Sequence, residues 1–397
     1  MTEGVSAAAD PLGGRPAAAG APPSPRVLVT VPWATLAGGA EAMLQSILDG
    51  ADEGPFEFHI VFFEDGPWPH DLREAGFDVT VLPVGRLRQP HRFARAVRRL
   101  AAQMRELQPE VILNWSAKTQ LYGAPAAVLA GLGGRVIWWQ QAIPLGSMVD
   151  RAATLLPARA IFCYSGPAAR AQRRLRPGRT TVPIAAGSPP PASGEAPAAI
   201  ELPGDVPIVG LVGRLQAWKG QDRLLRAQAL LRDRGLQMHC LIVGGDAFGL
   251  EPGYAASVPR LVEELGLGEH VTMTGQVPDA GPFIERMDVL VNASDPEPFG
   301  IVLLEGMARG VAVLAVDAGG PSEIIRDGRT GALARSGEPE ALADALEPLL
   351  RSPAERVRLA QAGHESFMQE FTDAAMRARV FAALRLQLGA PSAAPAG

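Results

Sequence analysis

Short apolar runs of five to seven residues recur along this chain and alternate with longer stretches whose apolar side chains return every three or four positions. Near-continuous Val/Ile/Leu runs suit strands buried on both faces, and helical patterns between them mark parallel βαβ units. In the first half the runs 26–31, 57–63, 78–82, 110–114, 135–139 and 160–164 predict strands. In the second half the predicted strands are 207–212, 238–243, 270–274, 288–292 and 311–316. Between the halves lies a Pro-, Gly- and Ala-rich stretch, 187–206, which reads as a linker. The pattern predicts an α/β protein of two Rossmann-like, doubly wound domains, 26–186 and 207–370. The last periodic segment, 371–388, predicts an amphipathic helix able to pack back onto the first domain.

Composition narrows this picture. The 397 residues are 47% apolar and 20% charged, enough for two globular cores. Residues 1–25 are mostly Ala, Gly and Pro, which predicts a disordered tail; without a basic start and an apolar core they do not read as a signal peptide. No apolar run is long enough to span a bilayer, since the nearest, 121–132, contains Pro125. Cys163 and Cys240 fall in predicted strands of different halves, which predicts two core thiols and fits a reducing, cytoplasmic setting. The net charge of −5 divides into +4 over 1–186 and −9 over the remainder, giving no case for nucleic-acid binding. Only two of the 37 basic residues are lysine, Lys118 and Lys219.

Three segments carry candidate chemistry. GRLQAWKG, 213–220, directly follows the predicted strand 207–212. Ligands of open α/β sheets bind at the carboxyl ends of strands, so Arg214 and Lys219 there suit a diphosphate, or else are solvated loop charges. DPEPFGIVLLEGMARG, 295–310, turns helical after Pro298 and carries Glu305 as the one acid of an apolar turn. A buried carboxylate needs a partner, either the two hydroxyls of a ribose or an arginine such as Arg309. Glu297 lies before that helix, where it could meet sugar hydroxyls beside the amides of Phe299, Gly300 and Ile301, or simply favour the helix start. TLAGGAEAML, 35–44, offers Gly38 and Gly39 for close approach of a ligand to the backbone, without the three-glycine dinucleotide spacing.

Taken in order and spacing, GRL…KG, the pair Glu297/Glu305 and GGPSEII (319–325) resemble family 4 glycosyltransferases of the GT-B fold over nearly the whole chain after the tail. The resemblance implies two domains facing across a cleft and retention of anomeric configuration. It implies a nucleoside-diphosphate sugar, UDP-linked, as co-substrate, with no other cofactor and no metal. The lack of an Asp-x-Asp motif in a suitable loop agrees. It further implies that Arg214 and Lys219 bind the diphosphate, that Glu297 touches the donor sugar, and that Glu305 holds the ribose. Gly38 and Gly39 would approach the phosphates, and the segment 274–277, ending at Val277, would hold the base through its backbone. Some members carry a His after the strand that here reads VIWWQQAIP; this chain has Gln140 and Gln141, to which no role is assigned.

The acceptor, a small molecule or a lipid-linked one, is less legible. Lys118, in NWSAKTQLYG after the strand 110–114, stands where first-domain strands open onto a cleft and is a candidate contact to acceptor or phosphates, the plainer alternative being a surface lysine at a helix start. The segment 89–106 predicts a basic amphipathic helix that either packs on the sheet or touches an anionic membrane. Other activities compete. A nicotinamide dehydrogenase lacks its glycine fingerprint here, whereas a non-hydrolysing nucleotide-sugar epimerase and a non-catalytic sugar-nucleotide binder remain open.

Overall fold

The computed structural model describes residues 24–36, 38–85, 89–191, 200–246, 249 and 251–389; nearly all of the tail expected at 1–25 and part of the linker lie outside these. The first domain alternates β1 (Arg26–Val31), α1 (Gly39–Asp49), β2 (Glu57–Phe62), α2 (Pro67–Glu74), β3 (Asp78–Val81) and α3 (Pro90–Leu107). It continues through β4 (Val111–Asn114), α4 (Ala117–Leu129), β5 (Val136–Gln140), α5 (Met148–Leu155), β6 (Ala160–Cys163), α6 (Gly166–Leu175) and β7 (Thr181–Pro183). The second runs β8 (Ile208–Val212), α7 (Gln221–Asp233), β9 (His239–Val243), α8 (Pro252–Glu264), β10 (Val271–Met273), α9 (Gly281–Ile284) and β11 (Val289–Asn292). It ends with α10 (Ile301–Ala308), β12 (Ala312–Val316), α11 (Pro321–Ile324), β13 (Ala332–Ala334), α12 (Pro339–Arg351) and α13 (Pro353–Glu370). A last helix, α14, covers Asp373–Gly389.

These elements build two parallel sheets, ordered β3-β2-β1-β4-β5-β6-β7 and β10-β9-β8-β11-β12-β13. The fold is therefore two Rossmann-like domains. In each sheet the chain winds outward one way, returns, and winds the other, so the order reverses between β1 and β4 and between β8 and β11. Loops leaving the strands at such a reversal diverge and leave a crevice, the usual ligand position in this architecture. Two edge strands had no counterpart in the apolar pattern, β7 and β13; each has three residues, too few to show a run.

Cys163 and Cys240 are buried and free, with burial pushing both thiols up to about 12, so both stay neutral core residues. The apolar face of α3 is spent inside the protein: Ala96, Val97, Leu100, Ala101 and Met104 are buried and Phe93 stacks on Tyr122 at 4.8 Å. That leaves its arginines, not a hydrophobic stripe, on the outside. Among the described residues no helix is long and apolar enough to cross a membrane.

The chain leaves the second domain beside the place where it entered. Ser188 bridges Thr372, with the Ser188 amide donating to the Phe371 carbonyl (3.1 Å) and the Asp373 amide to the Ser188 carbonyl (3.0 Å). From there α14 lies on α1. Phe381, 2% exposed, packs against Phe56 at 5.7 Å and Phe58 at 6.5 Å, and Arg377 pairs with Glu53 at 2.8 Å. Emptying a core aromatic position costs about 3–5 kcal/mol. Phe381→Ala should lower first-domain stability by that order in urea unfolding and open the 371–389 segment to limited proteolysis; unchanged stability and protection would contradict this packing role.

Candidate active site

The two second-domain motifs are about eighty residues apart in sequence and meet because their strands are neighbours. β8 pairs with β11, Val289 opposite Val209 and Leu290 opposite Gly210, and the loops at their carboxyl ends carry Lys219 and Glu297. Gly220 closes the first loop at φ +76°, where a Cβ would stand 2.5 Å from the Ala293 carbonyl of the second. The Asp295 amide ties the loops again by donating to the Trp218 carbonyl at 3.0 Å.

Lys219 Nζ lies 3.1 Å from Glu297 Oε2, with the two side chains 17% and 8% exposed. Asn292, the last residue of β11, donates to the same oxygen at 3.2 Å. Both bonds end on Oε2, so Oε1 remains available to a ligand hydroxyl. The Lys219 ammonium also sits 4.0 Å above the Trp218 ring, a cation–π contact that helps fix its position. Glu297 is thus neither a solvated charge nor a helix-start residue, since α10 begins only at Ile301. Gly300, at φ +105°, turns the chain into that helix, and among the described residues none of the amides of Phe299, Gly300 and Ile301 has a backbone carbonyl partner outside it. Unsatisfied amides at a helix start present positive charge to an anion.

Glu305, one turn into α10, has a carboxyl with no hydrogen bond or ion pair among the described residues. The Arg309 ion pair is not formed: Arg309 Nη1 donates to the Glu305 backbone carbonyl at 3.1 Å, and its Nε lies 3.7 Å from Glu285. Burial therefore dominates and raises the Glu305 carboxyl to about 7, against a smaller opposing pull from Arg309. Arg214 is partly buried, and its guanidinium makes no hydrogen bond or ion pair among the described residues.

Arg214, Trp218, Lys219, Glu297, Glu305 and the turn into α10 line one cleft of about 480 Å³ between the domains. The second domain supplies Arg214, Trp218, Lys219, Val277, Glu297, Phe299, Gly300, Ile301 and Glu305; the first supplies Gly38 and Gly39, Leu36, Gln141 and Tyr164. Gly39 is close enough to the opposite domain that a Cβ would meet Ile301 Cδ1 at 2.7 Å. Lys118 is not among the lining residues; its Nζ is 3.5 Å from the Pro32 carbonyl, at the carboxyl ends of β4 and β1. A smaller cavity, about 350 Å³, lies at the other edge of the first sheet. In it His59 pairs with Asp78 at 2.7 Å and Arg26 with Glu110 at 3.9 Å.

Sequence reasoning missed Asn292 and Trp218, which fix the Glu297 and Lys219 heads, and Tyr164 and Glu41 on the first-domain side. Asn292 had a signal, an amide ending an otherwise apolar strand; Tyr164 had none, because its place depends on how the domains meet. Burial raises the Glu41 carboxyl, while a hydrogen bond from its own amide and the nearby Arg214 oppose the rise. Among the described residues no group of three or more His, Cys, Asp or Glu could hold a metal ion.

Known proteins resemble this chain in part of its sequence and in its fold. Residues 193–366, spanning most of the second domain, match the model of the glycosyl transferases group 1 family. The chain is 33% identical over 175 residues to a lipopolysaccharide core biosynthesis glycosyltransferase, LpsE, of Rhizobium meliloti, covering 44% of this chain and 48% of that one. It is 44% identical over 153 residues to a D-inositol 3-phosphate glycosyltransferase of Nocardia farcinica, covering 37% of this chain and 33% of the relative. The chain thus spans less than half the length of these curated relatives. Among solved structures, Anabaena HepE in complex with UDP-glucose superposes with a TM-score of 0.76 at 23% identity, covering 91% of this chain and 100% of that one. A sucrose-phosphate synthase from Thermosynechococcus elongatus gives 0.75 at 22%, covering 93% and 100%. These likenesses show the fold, GT-B.

The raised Glu305 carboxyl makes a pH-dependent prediction. If its oxygens accept ribose hydroxyls, binding favours the ionised form, which the free protein holds above pH 7 and loses as pH falls. Affinity for a nucleotide sugar should therefore drop about tenfold per unit below pH 7, with close to one proton released on binding at pH 6. Calorimetry in buffers of different ionisation enthalpy measures both, and Glu305→Gln should flatten the profile. An equally steep profile in that variant assigns the titration elsewhere.

Proposed function

We propose that this chain is a retaining glycosyltransferase that moves a sugar from a nucleoside-diphosphate sugar, UDP-linked, to an acceptor hydroxyl without a metal. The observation that carries the reading is an interdomain cleft lined by two cations, Arg214 and Lys219, and by Glu305, whose carboxyl has no partner among the described residues. HepE, solved with UDP-glucose, and the glycosyltransferase relatives support it. In this reading the base lies along Val277, the ribose on Glu305, the diphosphate between Arg214, Lys219 and the Gly38–Gly39 turn, and the sugar by Glu297 and the amides of Phe299, Gly300 and Ile301.

The chemistry follows from charge. As the bond from the anomeric carbon to the phosphate oxygen breaks, its electron pair goes to the diphosphate and the sugar becomes oxocarbenium-like. Arg214, Lys219 and the α10 amides are already in place to stabilise that charge, an effect worth ~3 kcal/mol per well-placed donor. The acceptor oxygen attacks from the face the diphosphate leaves, and its proton passes to a phosphate oxygen. No carboxylate need act as nucleophile, because Glu297 is held by Lys219 and Asn292.

Glu305→Ala should weaken binding of the free nucleoside diphosphate, whereas Glu297→Ala should spare that binding and lower turnover, with native transfer unaffected by a strong chelator. Titrations and rates with and without EDTA test this. Equal effects of the two substitutions, or activity restored by magnesium or manganese, would contradict the assignment.

Lys118 is proposed as an acceptor-side contact, on its place at the carboxyl edge of β1 and β4. Lys118→Arg and Lys118→Ala should each lose most transfer activity while melting within a few degrees of the native protein. Near-normal rates in both would remove Lys118 from the site.

A further inference from the structure

Only two side chains with hydrogen-bonding heads reach the cleft from the described residues of the first domain, Gln141 and Tyr164. Each carries a polar atom that is out of solvent and without a hydrogen-bond partner, the Gln141 Nε2 and the Tyr164 hydroxyl. Buried polar groups are nearly always satisfied, so two orphans lining one cleft point to a ligand. Tyr164 is 4% exposed, and its ring packs on Trp139 at 6.0 Å.

The next two residues fix Tyr164 against the opposite domain. Ser165 Oγ donates to the Pro298 carbonyl at 2.8 Å, and the Gly166 amide, at the start of α6, donates to both carboxylate oxygens of Glu323 at 2.9 and 3.1 Å. Tyr164 is thereby held beside the loop that carries Glu297. We propose that the Tyr164 hydroxyl and the Gln141 amide hydrogen-bond the sugar of the donor from the first-domain side and select a neutral hexose over a uronic acid. This rests on the nucleotide-sugar reading of the cleft.

The selection follows from the charges in view. The phenol stays protonated, because burial and then the Glu41 carboxylate raise its pKa, so both first-domain groups face the sugar uncharged. Lys219 is already paired with Glu297, and Arg214 is committed to the diphosphate. A carboxylate on the sugar would meet Glu297, with no further cation among the lining residues to balance it.

The test uses the full chain and calorimetry with UDP, UDP-glucose and UDP-glucuronate, and the GDP series in parallel. The native protein should bind the glucose donor at least about tenfold more tightly than the uronate. Tyr164→Phe and Gln141→Ala should each weaken the glucose donor about tenfold, roughly one hydrogen bond, while the bare nucleoside diphosphate binds unchanged. A merely structural hydroxyl makes the opposite forecast: Tyr164→Phe would raise the melting temperature and leave donor affinity as it was. That result, or a uronate bound as tightly as glucose, overturns the inference. Failure of every bare nucleoside diphosphate to bind would instead overturn the nucleotide-sugar reading, and this inference with it.

Discussion

The hydrogen-bonded pairing of β8 with β11 is the constraint on which the site depends. It sets two loops side by side at the point where the second sheet reverses its winding, and so brings Lys219 to 3.1 Å from Glu297. An ion pair this poorly hydrated is costly to assemble, and losing one partner from such a pair typically costs about 3–5 kcal/mol. The Asn292 amide and the Trp218 ring offset part of that cost by holding the two heads where they lie. The result is a cation at fixed position with one carboxylate oxygen left over, a preorganised pair rather than two mobile side chains.

The interdomain contacts extend the same logic to the first domain. Gly39 fits under Ile301 because it has no Cβ, and Glu323 of the second domain accepts the first amide of α6. Apolar packing joins them, since one cluster of buried residues runs from Phe62, Trp139 and Tyr164 of the first domain to Phe299 and Leu304 of the second. The return of α14 onto α1 then brings the chain back to the domain it began in, with the two crossings between domains side by side at Ser188 and Thr372.

Much of this was legible in sequence, for physical reasons that differ by element. The strands β8, β9 and β12 are buried on both faces, so they read as uninterrupted apolar runs. Strands β7 and β13 pair at sheet edges with three residues each and left no such run. The cations and acids of the second domain stood out because each is a charge in a glycine-rich or apolar stretch next to a strand end. Glu305 as an unpaired acid was half legible: its apolar turn announced burial, but only the structure shows Arg309 turned to the backbone carbonyl and Glu285. Gln141 stood out in sequence only as a departure from the family's His, without a role, and Tyr164 carries no local signal, since a tyrosine after an apolar strand is ordinary until the opposite domain is placed beside it.

The central claim is that one nucleotide-sugar site is shared by both domains. Hydrogen–deuterium exchange of the full chain, with and without a saturating nucleoside diphosphate sugar in EDTA, tests it most directly. The account predicts slowed exchange in three separate segments at once: the start of α1 after Gly38, the loop 213–220, and the turn from Phe299 into α10. Protection confined to one domain, or dependent on an added divalent metal, would contradict it.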